Sequence, residues 1–173
     1  DEPKLTELST LGEFGLIDHL TKNIPIMNKS TIKGIGDDAA VIKPAEDQVI
    51  LLSKDLLIEG VHFDLTYMPL KHLGYKAAVV NFSDMVAMNG LPTQIIVGLG
   101  VSSKFSVEAL NEIYDGIKKA CEVYHVDFVG GDTTSSVAGL FISVTVLGAV
   151  DQNKVTYRNG SRVNDLICVS GDL

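Results

Sequence analysis

The sequence predicts an α+β fold, a mostly antiparallel sheet with helices on one face. Three observations lead there. Strand-like runs rich in Val, Ile and Leu recur along the chain, two long segments between them carry apolar residues at helical spacing, and polar turn-rich stretches separate the two kinds. The chain has 173 residues, 46% of them hydrophobic, and a positive mean hydropathy, enough for one well-buried domain and too little for two full ones.

Residues 12–23 read as a short amphipathic helix with Phe14, Ile17 and Leu20 on one face. "VIKPAEDQVILLSKD" reads as two strands joined by a turn, because β-branched residues flank the polar "KPAEDQ". A helix is expected from about Leu70 to Met88, where Ala77, Val80, Asp84 and Met88 recur on an apolar face. "TQIIVGLGV" is a strand, and a second long helix runs from about Ser106, a plausible N-cap, to Tyr124. "VDFVGGDTT" reads as a short strand ending in a tight turn, and "LFISVTVLGAV" as a long buried strand. Residues 1–162 are read as one domain and 163–173, where "LICVSGDL" begins a new apolar strand, as the opening of a second one. Helices on one face leave the other face of the sheet apolar and uncovered. A dimer packing sheet on sheet would cover it.

The formal charge is −8, from 22 acidic and 14 basic residues without a basic cluster, so duplex nucleic acid is not an expected partner. Cys121 and Cys168 have no metal-ligand spacing, which suits a reducing compartment. The polar opening lacks the pattern of a signal peptide, and the longest apolar run, 11 residues, is too short to span a bilayer as a helix. A cytoplasmic location without membrane association is expected.

Aspartates punctuate the apolar segments: Asp37 and Asp38 in "GIGDDAAV", Asp55 in "LLSKDLL", Asp84 in "NFSDMVAM" and Asp132 in "VGGDTT". Each stands where its neighbours should be buried, and an unpaired buried carboxylate is costly. No matching arginines accompany them. Singly, Asp37, Asp38 and Asp132 also suit turns, and Asp84 a solvated helix face. Taken together they suggest oxygen ligation of Mg²⁺ or Ca²⁺ rather than zinc, and Mg²⁺ favours phosphate oxygens. In "VGGDTT" two glycines let backbone N–H groups approach an anion, with hydroxyls following. No Walker A lysine motif or dinucleotide fingerprint is present.

In order, "GEFGLI", "GIGDDAAV", "SKDLLIEGVHF", "NFSDMVAMNG", "GGDTT" and "TYRNGSR" resemble the amino-terminal half of the thiamine-monophosphate kinase family, within the ATP-binding superfamily that includes aminoimidazole ribonucleotide synthetase. The resemblance implies phosphorylation of thiamine monophosphate by ATP, with Mg²⁺, in a homodimer whose sheets share a β-barrel. Carried onto this sequence, it places Asp38, Asp55, Asp84 and Asp132 among the magnesium ligands, with the Ser53 hydroxyl and the main chain at Lys54 beside them. It sets Gly131, Asp132 and Arg158 at the nucleotide, Tyr114 at its border, and His62 of "EGVHF" toward the substrate. Many members have threonine where this chain has Lys54. A histidine between Val61 and Phe63 is, on the residues alone, equally an ordinary part-buried side chain.

The acceptor implied is a phosphate monoester, ionised at neutral pH, so in-line transfer needs no general base and no side chain is expected to serve as one. Two other functions fit the same segments: a related synthetase that activates an amide or carbonyl oxygen with ATP, and a non-catalytic, dimerising nucleotide-binding module. The resemblance also implies a further domain beyond Leu173, and with it the expectation that this stretch alone binds Mg·ATP weakly and transfers phosphate negligibly.

Overall fold

The computed structural model describes residues 5–35, 40–169 and 171. Helix α1 (Gly12–Thr21) leads into a small two-stranded antiparallel sheet, β1 (Thr31–Lys33) with β2 (Val41–Ile42). There follow β3 (Gln48–Ile58), α2 (Leu70–Ala87), β4 (Leu91–Val101), α3 (Val107–Tyr124), β5 (Asp127–Ser135) and β6 (Leu140–Asp151). The main sheet has the order β3-β6-β4-β5, antiparallel throughout except for the parallel pair β4–β5.

That one parallel pair follows from the connection. A parallel neighbour needs a crossover, and α3 supplies it between β4 and β5. Likewise α2 carries the chain from β3 over to β4, leaving between them a slot that β6 fills antiparallel to both. Along β6, Leu140, Ile142, Val144, Val146, Gly148 and Val150 are buried and alternate with half-buried residues, as period-2 geometry requires of a strand covered on one side. Both long helices lie on that side. They cross with main chain against main chain: a Cβ at Gly74 would stand 2.0 Å from the Ile113 carbonyl oxygen, and one at Gly116 would stand 2.0 Å from that of Lys71.

The expected helices and sheet are present, with four differences. In α1 the buried side chains among those described are Leu16 and Leu20, with Ile17 half-buried. The strands flanking "KPAEDQ" do not form a hairpin, because β2 pairs with β1 and β3 pairs with β6. β5 continues through Gly130 and Gly131 without a turn, its register against β4 shifting by one residue at Val129. Gly131 is there for closeness, since its Cβ would lie 2.1 Å from the Val97 carbonyl oxygen on β4. Lastly, residues 155–169 form no strand, and "LICV" is exposed coil.

Ser106 caps α3 as expected, its Oγ accepting from the Ala109 amide at 3.3 Å. Glu108 in the first turn reaches further: both carboxylate oxygens accept from the Thr6 amide, at 3.2 and 3.1 Å. Its own backbone N–H, then the Thr6 hydroxyl and amide, hold its carboxyl down at about 2. A carboxyl depressed on folding stabilises above its unfolded value, near 4.5, and loses that contribution as pH falls through the folded one. Glu108→Gln should therefore lower the melting temperature at pH 7. The gap from wild type should close between pH 4.5 and pH 2 in a calorimetric series.

Candidate functional site

β3 is an edge strand, and its odd-numbered residues face the helical layer: Leu51 and Leu57 are buried, with Ser53 and Asp55 half-buried between them. α2 passes beside this edge, and one contact joins them. Ser53 Oγ donates to Asp84 Oδ2 at 2.8 Å. Two carboxylates and a hydroxyl thus share one end of the sheet, and no ion pair among the described residues involves Asp55 or Asp84. These are hard oxygen donors of the kind Mg²⁺ takes, two or three at a time with water or phosphate completing the shell. Lys54 points the other way, its Nζ donating to Ser143 Oγ on the open face. The lysine's charge therefore does not enter this group.

Asp84 is exposed, contrary to the buried apolar face read for it, and Asp132 is exposed as well. Asp132 stands on β5, the opposite edge of the sheet from Asp55. Three strand spacings of about 4.8 Å separate the edges, on the order of 14 Å. Among the described residues, no three His, Cys, Asp or Glu side chains of one chain gather as a cation site. Asp37 and Asp38 lie outside the described residues.

Around Asp132, a cleft of about 590 Å³ opens between the β5 segment Asp132–Ser135 and the chain leading into α1, including Leu8 and Ser9. Gly131 lies exposed on the same strand. Tyr114 is buried beneath it, its ring 5.7 Å from that of Phe128. Burial pushes its phenol up, opposed by a hydrogen bond with Thr133. Tyr114 therefore buttresses the "GGDTT" strand from below. Arg158 is exposed in the coil after β6 and makes no ion pair among the described residues.

His62 sits just past the end of β3, exposed, with Nδ1 accepting from the Ile58 amide at 3.1 Å. In the neutral ring this puts the proton on Nε2, a donor available to an anion. The Lys76 ammonium donates to the His62 carbonyl oxygen at 3.2 Å and so brings a cation to the same turn.

A second cavity, about 380 Å³, lies between α3 and residues 23–27, away from these aspartates. Cys121 lines it, and burial together with the nearby Asp127 charge pushes its thiol up to about 12. It stays a thiol and not a nucleophile.

The buried aspartate is one that the sequence reading passed over. Asp127, at the start of β5, is 0% exposed, and among the described residues three donors rather than a cation satisfy it. Its signal in the sequence is an aspartate between Val126 and Phe128, at the start of a strand-like run.

The AIR synthase related protein, N-terminal domain family matches residues 36–150, and the chain belongs to it. Within that class, thiamine-monophosphate kinase of Bacillus subtilis is 36% identical over 163 residues, covering 94% of this chain and 50% of its own. The solved thiamine-monophosphate kinase of Stenotrophomonas maltophilia superposes with a TM-score of 0.71 at 30% identity, over 83% of this chain and 44% of that one. AaThiL, solved in complex with AMPPCP and TMP, does so with a TM-score of 0.63 at 36% identity, over 91% of this chain and 47% of that one. The chain spans about half the length of the curated relatives it matches. No described helix is long and apolar enough to cross a membrane.

Proposed function

We propose that this chain is the nucleotide- and metal-binding part of an ATP-dependent kinase that converts thiamine monophosphate to thiamine diphosphate. The kinship supports the reaction class. The observation that carries the chemistry is the Ser53–Asp84 pair beside Asp55 on the sheet edge, oxygen donors that have no cationic partner among the described residues. Mg²⁺ held there would neutralise phosphate charge that carboxylates alone would repel. The acceptor is already ionised, so the residues have to bind, align and shield two polyanions rather than remove a proton. His62, with a donor on Nε2, and Lys76 suit the acceptor's end of such a site.

The open face of the sheet supports a homodimer. Ile50, Leu52, Leu56 and Ile58 on β3 and Ile96 on β4 are exposed there, with Leu52 at 69%. A second copy packed on this face makes a closed barrel, and a dyad along the barrel axis lays the β3 edge of one protomer beside the β5 edge of its partner. In that arrangement Asp55 and Asp84 of one copy and Asp132 of the other serve one site, which accounts for carboxylates divided between opposite edges of the sheet.

Titration calorimetry tests the reading. ATP should bind in the presence of Mg²⁺ and show no heat of binding with excess chelator. Chromatography should detect thiamine diphosphate when the complete site is supplied with thiamine monophosphate. ATP binding indifferent to chelator would remove the metal-bridged site.

A further inference from the structure

The buried Asp127 does no work in the site as described, yet its surroundings are built to hold a charge. Its Oδ1 accepts from the Met27 amide at 2.6 Å, and both oxygens accept from the Asn28 amide at 3.1 Å. Oδ2 also accepts from the Thr31 hydroxyl at 2.5 Å. Gln94 on β4 completes the cluster, its Nε2 donating to the Thr31 and Ser30 hydroxyls at 2.8 Å each. No cation pairs with the carboxylate among the described residues, so hydrogen bonds to an anion hold this loop down.

Beside these bonds, the Asn28 side chain anchors the loop, its Nδ2 donating to the main-chain oxygens of Thr93 at 3.0 Å and His125 at 2.8 Å. Ile26 and Met27 are exposed, so burial of apolar side chains does not fix residues 26–28. Beyond β1 the chain still follows β5, because a Cβ at Gly34 would lie 3.9 Å from Val129 Cα, two residues past Asp127. Asp37 and Asp38 come three and four residues after Gly34 in sequence. The residues that precede the acidic pair in sequence are therefore moored, as far as Gly34, to the strand that bears Asp132.

We propose that Asp127 is a positioning residue: an anionic latch, closed by the Met27 and Asn28 amides and the Thr31 hydroxyl, that fixes residues 27–34 along β5 and thereby sets the nucleotide–metal site. This role rests on the nucleotide-binding reading above. The latch would act through the loop and not by touching the ligand, so its loss should weaken binding while leaving the helical layer and the central strands unchanged.

Hydrogen exchange read by mass spectrometry, paired with Mg·ATP calorimetry, tests it on Asp127→Asn, Thr31→Val and Thr31→Ser. In Asp127→Asn, residues 27–34 should exchange at least tenfold faster while α2 and β6 keep their protection, and Mg·ATP should bind at least tenfold more weakly. Thr31→Val should move both readouts part of the way, and Thr31→Ser, which keeps the hydroxyl, should restore them. The threonine pair carries the test if Asp127→Asn does not fold. Unchanged protection of residues 27–34 in Thr31→Val would overturn the latch. Faster exchange with unaltered Mg·ATP affinity would leave a structural anchor only and overturn the positioning role. Failure of the wild type to bind Mg·ATP would reject the nucleotide reading and the positioning role with it, whatever the exchange shows.

Discussion

Asp84→Asn is expected to abolish the stabilisation that Mg·ATP confers while leaving the fold intact. Asparagine keeps an oxygen that can accept from Ser53, so the contact between α2 and β3 survives and only the charge goes. A ligand at one hundred times its dissociation constant stabilises the native state by about 2.7 kcal/mol. Wild type should show a rise in melting temperature of that origin, and the variant close to none. Melting curves with and without Mg·ATP, alongside far-UV circular dichroism, decide the matter. A variant that keeps the full rise would take Asp84 out of the site.

The second large effect concerns who shares the site. If Asp84 of one protomer and Asp132 of its partner serve the same nucleotide, Asp84→Asn and Asp132→Asn homodimers should each lose Mg·ATP binding, and a mixture of the two should regain some. Random reassortment makes half the dimers mixed, each with one intact site of two, so about a quarter of the wild-type sites should return. Calorimetry on the co-refolded mixture counts them. No recovery, in a mixture shown to reassort, would put both carboxylates of a working site in one chain. A monomer by light scattering at micromolar concentration would remove the barrel altogether.

The sequence made the regular elements legible because each carried its own period. The Ser106 cap, the apolar spacing of α2 and α3 and the alternation in β6 are local signals, and local hydrogen bonding decides them. What it did not disclose depends on partners distant in the chain. Nothing in "KPAEDQ" says that β2 will pair backward with β1 while β3 pairs with a strand some ninety residues on. Two glycines before an aspartate look like a turn until the close approach of Val97 is known. In the site, Ser53 and Asp84, which the family resemblance sets beside a metal, stand in hydrogen-bond contact, a proximity that no local signal in either segment discloses. Apolar neighbours in sequence do not mark the buried carboxylates here: Asp84 and Asp132 are accessible, as a ligand would need, and the inaccessible Asp127 holds a loop. Burial depends on the third dimension, and a lone apolar-flanked aspartate looks the same in either role.

The backbone contact between α2 and α3 at Gly74 and Gly116 limits how the domain can deform. Side chains at a helix crossing act as a compliant layer, because rotamers can change to take up a shift. At Gly74 and Gly116 that layer is missing, and carbonyl groups stand where methyl groups would be. The two helices should behave as a single stiff plate bonded to the sheet, with no slip plane between them. A push at the β3 edge would then turn the plate bodily and be felt at the β5 edge, without being absorbed on the way.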